Sequence, residues 1–229
     1  VCGYLMLVTG LYLGQRQLLY LPDRSIPNRT ASGVAEMSEV RLHTDDGLDL
    51  LAWYRPAAPG RATIVYLHGN GGHIGYRGER ARPFIDAGFG VLLVEYRGYG
   101  GNPGRPSEQG LMADARAALA FLDTAGAWAA ATVLYGESLG STVAVAIAAE
   151  RAAIGQPVAA LVLEAPLSSV SDVAAHHYPW VPVRRLLKDR FEAQDAARRE
   201  GQKVLHEILE QHLSEERRNA TAVQNLSLI

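Results

Sequence analysis

Cysteine is almost absent from this chain: Cys2 is the only one. No internal disulfide can form, and a cysteine-rich metal site has no ligands. A chain without disulfides suits either side of a membrane, so redox chemistry assigns no compartment. An excess of charge of one sign is missing too. Lys and Arg together number 22 and Asp and Glu 24, for a net charge of −2. The two signs are mixed along the chain and no basic stripe is present, so a nucleic-acid partner is not expected. Neither G-x-G-x-x-G nor a P-loop lysine occurs, and no cofactor or metal is expected. Repeats, low-complexity segments and long linkers are also lacking. What the chain does have is 48% apolar residues against 20% charged over 229 positions. That is enough to build the core of one α/β domain.

Three segments follow from the pattern. Residues 1–22 read as an N-terminal apolar anchor. Val1 to Gln15 carry no charge, and Arg16 is the first. The run is shorter than the roughly 20 residues of a spanning helix, and the first residue is Val, which points to a clipped start. Tyr4, Tyr12 and Tyr20 resemble an interfacial belt, so membrane association through this segment is the expectation, with the side unassigned. A buried first helix is the alternative. Residues 23–191 read as an α/β core, and residues 192–229 as an atypical helical tail.

Within the core, Glu39 to His43 alternates polar and apolar residues, Asp45-Asp46-Gly47 is a turn, and Leu48 to Tyr54 is the antiparallel partner. Thr63 to Leu67, Val91 to Val94, Thr132 to Tyr135 and Ala159 to Leu163 are continuous apolar runs, as strands buried on both faces require. Ser107 caps a helix whose Leu111, Ala115, Ala118, Leu119 and Leu122 share a face. Leu139 to Glu150 is rich in small residues and suits a helix packed closely on a sheet. Alternating strands and helices imply a mostly parallel sheet with helices on both faces. After Leu163 no further strand pattern is found. Val181 to Leu187 reads as a short irregular or helical piece. Val204, Leu205, Ile208, Leu209 and Leu213 share one face of a tail helix.

Gly136-Glu137-Ser138-Leu139-Gly140 matches G-x-S-x-G. The glycines permit a sharp strand-to-helix turn that holds the serine hydroxyl out, at the positive end of the following helix. The pattern alone is weak; its strength is the apolar strand running in and the small-residue helix running out. His68-Gly69-Asn70-Gly71-Gly72 follows the third strand, where a glycine-rich loop can turn backbone N–H groups towards a developing oxyanion. His68 is read as a residue that holds this loop by hydrogen bonds, not as a catalytic base.

These motifs occur in order with Glu95-Tyr96-Arg97-Gly98-Tyr99-Gly100-Gly101-Asn102-Pro103-Gly104, then Pro106 to Leu111, Leu163-Glu164-Ala165-Pro166 and His177-Tyr178-Pro179-Trp180-Val181-Pro182. Together they resemble the membrane-associated branch of the α/β-hydrolase superfamily, with serine-peptidase-like and depalmitoylating thioesterase-like relatives. Gln15 to Asp23 resembles the segment after that family's anchor, and the likeness runs to about Phe191. The resemblance implies Ser138 as nucleophile, the backbone N–H groups of Asn70 and Leu139 as oxyanion hole, and strand order 1-2-4-3-5-6-7-8. The substrate it implies is a small acyl compound or a lipidated molecule.

Such a family also needs an acid and a histidine after the serine, in that chain order. The residues beyond Arg190 show neither expected motif. His176, His177, His206 and His212 are the later histidines, and Glu164 is a spare acid at the sixth strand. The expectation is therefore an α/β-hydrolase fold lacking its last two strands, truncated or frameshifted, with an impaired triad. Strand six would then be an open edge suited to self-association. The alternative is a non-enzymatic membrane-tethered binding module or pseudoenzyme.

Overall fold

The computed structural model describes residues 2–127 and 131–192. Ser38–His43 (β2) and Asp49–Arg55 (β3) form the expected antiparallel hairpin, with Leu42 opposite Leu50. Gly47 in its turn has φ 85°, a backbone state that residues with a Cβ rarely adopt. Thr63–Leu67 (β4), Gly90–Val94 (β6), Thr132–Glu137 (β7) and Ala160–Glu164 (β8) complete a six-stranded sheet in the order β2-β3-β6-β4-β7-β8. β3 pairs antiparallel with β6, whereas β6, β4, β7 and β8 are parallel to one another. Counted along the chain within this sheet, the order is 1-2-4-3-5-6, which is the expected order as far as it goes. Among the described residues β8 ends the sheet. The tail helix expected beyond residue 192 lies outside the described residues.

The pleat divides the core in two. Val65, Leu67, Leu92 and Val94 point into one apolar cluster, while Tyr66, Val91 and Leu93 point into the other. Side chains alternate across a strand, so continuous apolar runs mean that both faces are covered. Glu108–Thr124 (α3) and Leu139–Ala153 (α4) cover the first face through Leu111, Ala118, Val143 and Ile147. Gly78–Asp86 (α2) covers the second through Ala81 and Ile85. Ser107 caps α3, its hydroxyl accepting from the Gly110 N–H at 3.1 Å; such a cap satisfies one of the free N–H groups of the first turn. α4 packs on β7 and β8.

Several elements were not foreseen from sequence. Leu21–Pro22 (β1) and Gly71–Gly72 (β5) pair in parallel as a second, two-stranded sheet. Val170–His177 (α5), which follows β8, is another. Val183–Leu186 (α6) falls within the short irregular or helical piece expected at Val181 to Leu187.

The N-terminal segment is one helix, Cys2–Leu19 (α1), with no buried residue. Leu5, Met6, Leu7, Leu13 and Leu18 are each more than half exposed. The helix is nonetheless tied to the core along one side. Tyr4 Oη donates to the Trp180 carbonyl at 2.9 Å, and Arg16 meets the buried Asp189 carboxylate at 2.7 and 3.0 Å. Tyr20 then enters the core, edge-on to Phe191. Among the described residues no helix is long and apolar enough to cross a membrane.

Candidate active site

β4 and β7 are neighbours in register, with Leu67 opposite Gly136. The loop after β4 and the turn after β7 therefore leave the same end of the sheet side by side. At the second of these, Ser138 has φ 50° and ψ −113°, a conformation that is costly for a residue with a Cβ and is held only where the surroundings dictate it. The two glycines supply that constraint. A Cβ on Gly136 would lie 2.5 Å from the Ser141 Cα, and one on Gly140 would lie 2.0 Å from the Leu67 carbonyl oxygen. Real contacts are never so short, so these positions admit only glycine. The backbone is pinned as well: the Ser138 N–H donates to the Glu164 carbonyl at 2.9 Å, and its carbonyl accepts from the Ser141 N–H and Oγ. Ser138 is half-buried, and its hydroxyl makes no hydrogen bond among the described residues.

Leu139 opens α4 and is buried. Its N–H belongs to the first helical turn, where N–H groups lack partners within the helix. Asn70 lies in the adjacent loop, half-buried. Its side chain is fully engaged: Oδ1 accepts from the Leu21 N–H at 3.3 Å and from Tyr99 Oη at 3.1 Å, and Nδ2 donates to the Leu19 carbonyl. Tyr99 Oη also reaches the Asn70 carbonyl at 2.9 Å. Burial, with Glu95 nearby, pushes the Tyr99 phenol well above its ordinary range, so it stays a neutral donor. The Asn70 N–H makes no backbone hydrogen bond among the described residues. The structure thus brings Ser138, Leu139 and the Asn70 loop to one place.

His68 is fully buried. Its Nδ1 lies 2.7 Å from the Gly69 carbonyl and its Nε2 lies 3.1 Å from Glu95 Oε1. A carbonyl can only accept, so Nδ1 donates to it. The other oxygen of Glu95 accepts from the Ile74 N–H at 2.9 Å. His68 and Glu95 hold the two ends of the glycine-rich loop, and neither faces the serine as a base.

A charged layer lies beside the turn. Glu137, directly before Ser138, receives Arg77 Nε and Nη2 at 3.1 Å each and Tyr66 Oη at 3.0 Å. Burial works to raise the Glu137 carboxyl, but Arg77, Tyr66 and Arg80 outweigh it and hold the group below its ordinary range. Arg80 reaches Glu164 at 2.8 and 3.0 Å, and Tyr135 Oη donates to the same carboxylate at 2.8 Å. Glu164, the spare acid of the sequence reading, is committed to these partners. His176 and His177 are exposed at the end of α5; His206 and His212 lie outside the described residues. Sequence reasoning missed Arg77, Glu95 and Tyr99. A charged residue closing a wholly apolar strand, as Glu95 does after β6, is the one signal that was available.

Comparison with known proteins agrees with this architecture. Residues 58–221 match the family described as serine aminopeptidase, S33. The chain belongs to that family and has the α/β-hydrolase fold. The match continues past Phe191, where the sequence reading had placed the end of the likeness. A protein of Mycobacterium tuberculosis, named only as uncharacterised, is 43% identical over 187 residues, covering 80% of this chain and 65% of its own. The bem46 protein of Schizosaccharomyces pombe is 32% identical over 203 residues, covering 82% and 66%. The chain thus spans about two thirds of the length of these relatives. An α/β-hydrolase crystal structure from Vibrio vulnificus superposes with a TM-score of 0.67 at 24% identity, covering 84% of this chain and 70% of its own, a likeness of fold.

Proposed function

We propose that this chain is a serine hydrolase that transfers an acyl group from an ester, thioester or amide to water. Ser138 is the nucleophile at an elbow between β7 and α4, and the Asn70 and Leu139 backbone N–H groups form the oxyanion hole. The observation that carries the reading is the Ser138 backbone at φ 50°, locked between two glycines that admit no Cβ. In the reaction Ser138 Oγ bonds to the carbonyl carbon as its proton passes to solvent water, which returns one to the leaving group. The carbonyl electrons move onto oxygen, where the two N–H groups receive the charge. Collapse expels the alcohol, thiol or amine with a proton, and water repeats the sequence on the acyl-enzyme.

No histidine is hydrogen-bonded to Ser138 among the described residues, so the activity is read as impaired. An oxyanion hole without a base still supports roughly 10³-fold acceleration over water. The same observation favours a second reading, a non-enzymatic tethered module. Both readings place α1 against a membrane. Its exposed leucines and Met6, with Tyr178 and Trp180 about half exposed nearby, support this. The β8 edge is the surface through which copies would associate.

The full-length chain treated with a fluorophosphonate probe tests the reading. Labelling that disappears in Ser138→Ala is the expected result. Labelling no faster than in Ser138→Ala removes the serine hydrolase and leaves the tethered module.

A further inference from the structure

The loop bearing Asn70 and the turn bearing Ser138 come from different strands, and an oxyanion hole needs their N–H groups at a fixed separation. One side chain touches both. Arg77 is buried. Its Nε and Nη2 grip the Glu137 carboxylate at two points, 3.1 Å each, and its Nη1 donates to the Gly71 carbonyl at 2.8 Å. Glu137 is the residue before Ser138, and Gly71 is the residue after Asn70. The loop also rests on the pair itself. A Cβ on Gly69 would lie 3.2 Å from Glu137 Oε1, and one on Gly72 would lie 3.1 Å from Arg77 Nη1.

We propose that Arg77 is a positioning residue: its guanidinium bridges Glu137 and the Gly71 carbonyl and so sets the distance between the two N–H groups of the oxyanion hole. The inference rests on the reading of Ser138 as a nucleophile. Guanidinium chemistry suits the task. Its planar fork matches a carboxylate at two points and leaves a third donor on another edge, whereas an ammonium is a single point charge without a fixed plane. Tyr66, which donates to the same carboxylate from β4, fixes Glu137 from the strand side and leaves Arg77 as its link to the loop. A bridge of this kind acts on transition-state geometry. One oxyanion donor contributes roughly 10²- to 10³-fold in rate, and displacing it loses part of that.

The test compares the full-length wild type with Arg77→Met and Arg77→Lys by two readouts. One is the second-order rate of fluorophosphonate labelling, and the other is amide hydrogen exchange in peptides covering residues 68–73 and 137–142. In Arg77→Met, exchange is expected to rise in both segments together and labelling to fall roughly 10- to 100-fold. Arg77→Lys is expected to regain melting temperature without regaining labelling. Unchanged exchange, or a change in one segment alone, overturns the proposal whatever the labelling does. A wild type that does not label, combined with a joint rise in exchange, leaves the bridge standing and removes the serine hydrolase reading instead. Should Arg77→Met fail to fold, Arg77→Lys and Glu137→Gln carry the same expectations. A lower melting temperature in these with labelling unchanged makes the ion pair merely structural and overturns the proposal.

Discussion

Replacing Ser138 by glycine should make the protein more stable than replacing it by alanine. Ala keeps the Cβ and so keeps the cost of φ 50°, ψ −113°; Gly removes it. The serine hydroxyl makes no hydrogen bond among the described residues, so its loss in either variant is a minor effect. A strained backbone position costs about 1–3 kcal/mol. Against this, glycine gives the unfolded chain extra freedom, about 0.4–1 kcal/mol. The difference leaves Ser138→Gly ahead of Ser138→Ala by roughly 0.5–2 kcal/mol. For a chain of this size that corresponds to roughly 1–8 °C in melting temperature. Thermal unfolding of the two variants, followed by circular dichroism at one scan rate, measures it directly. A Ser138→Gly protein that melts below Ser138→Ala would show that no strain is stored at the turn and would remove the observation on which the function rests.

Two further outcomes follow from the surface and from the charged layer. Flotation with vesicles should carry the full-length chain upward, and replacing Leu5, Met6, Leu13 and Leu18 by Ser should abolish this; retention of binding would place the contact elsewhere than α1. Acid should destabilise the protein through Glu137. Its folded-state pKa is depressed, so its contribution is complete above the unfolded value of about 4.3 and fades as pH falls through the lower folded value. Urea midpoints between pH 3 and 6 should therefore drop at the acid end, and less steeply in Glu137→Gln; identical slopes would contradict the assignment.

The central strands were legible because burial on both faces leaves an uninterrupted apolar run, as in β4 and β6. Ser138 was legible because its glycines are sequence neighbours and their constraint is local. α2 was not. Gly78 and Pro83 break its helical signal, yet Gly78 is required by packing, since a Cβ there would lie 1.9 Å from the Ser32 carbonyl oxygen. Tertiary contact overrode propensity. β1 and β5 have two residues each, too few for any period to show. Arg77 escaped notice for another reason. Its partner Glu137 is 60 positions away, and nothing in a single sequence ties one charge to another at that distance. The N-terminal segment is a helix, and its fastening by Arg16 to Asp189 spans 173 positions and was equally hidden.

The register of the last described strand pair couples the two faces of the sheet. β7 and β8 place Glu137 directly opposite Glu164, and like charges across a ladder repel. The cation between them is Arg80, 2.8 Å from Glu164 and 3.7 Å from Glu137. It is carried by α2, 84 residues earlier than Glu164. Arg80 therefore couples the helix on one face to the pairing of β8. Without it two carboxylates stand opposed across the ladder, a cost of roughly 0.2–1 kcal/mol. With it their juxtaposition becomes a binding site for the arginine. The docking of α2 and the closure of β8 stabilise each other.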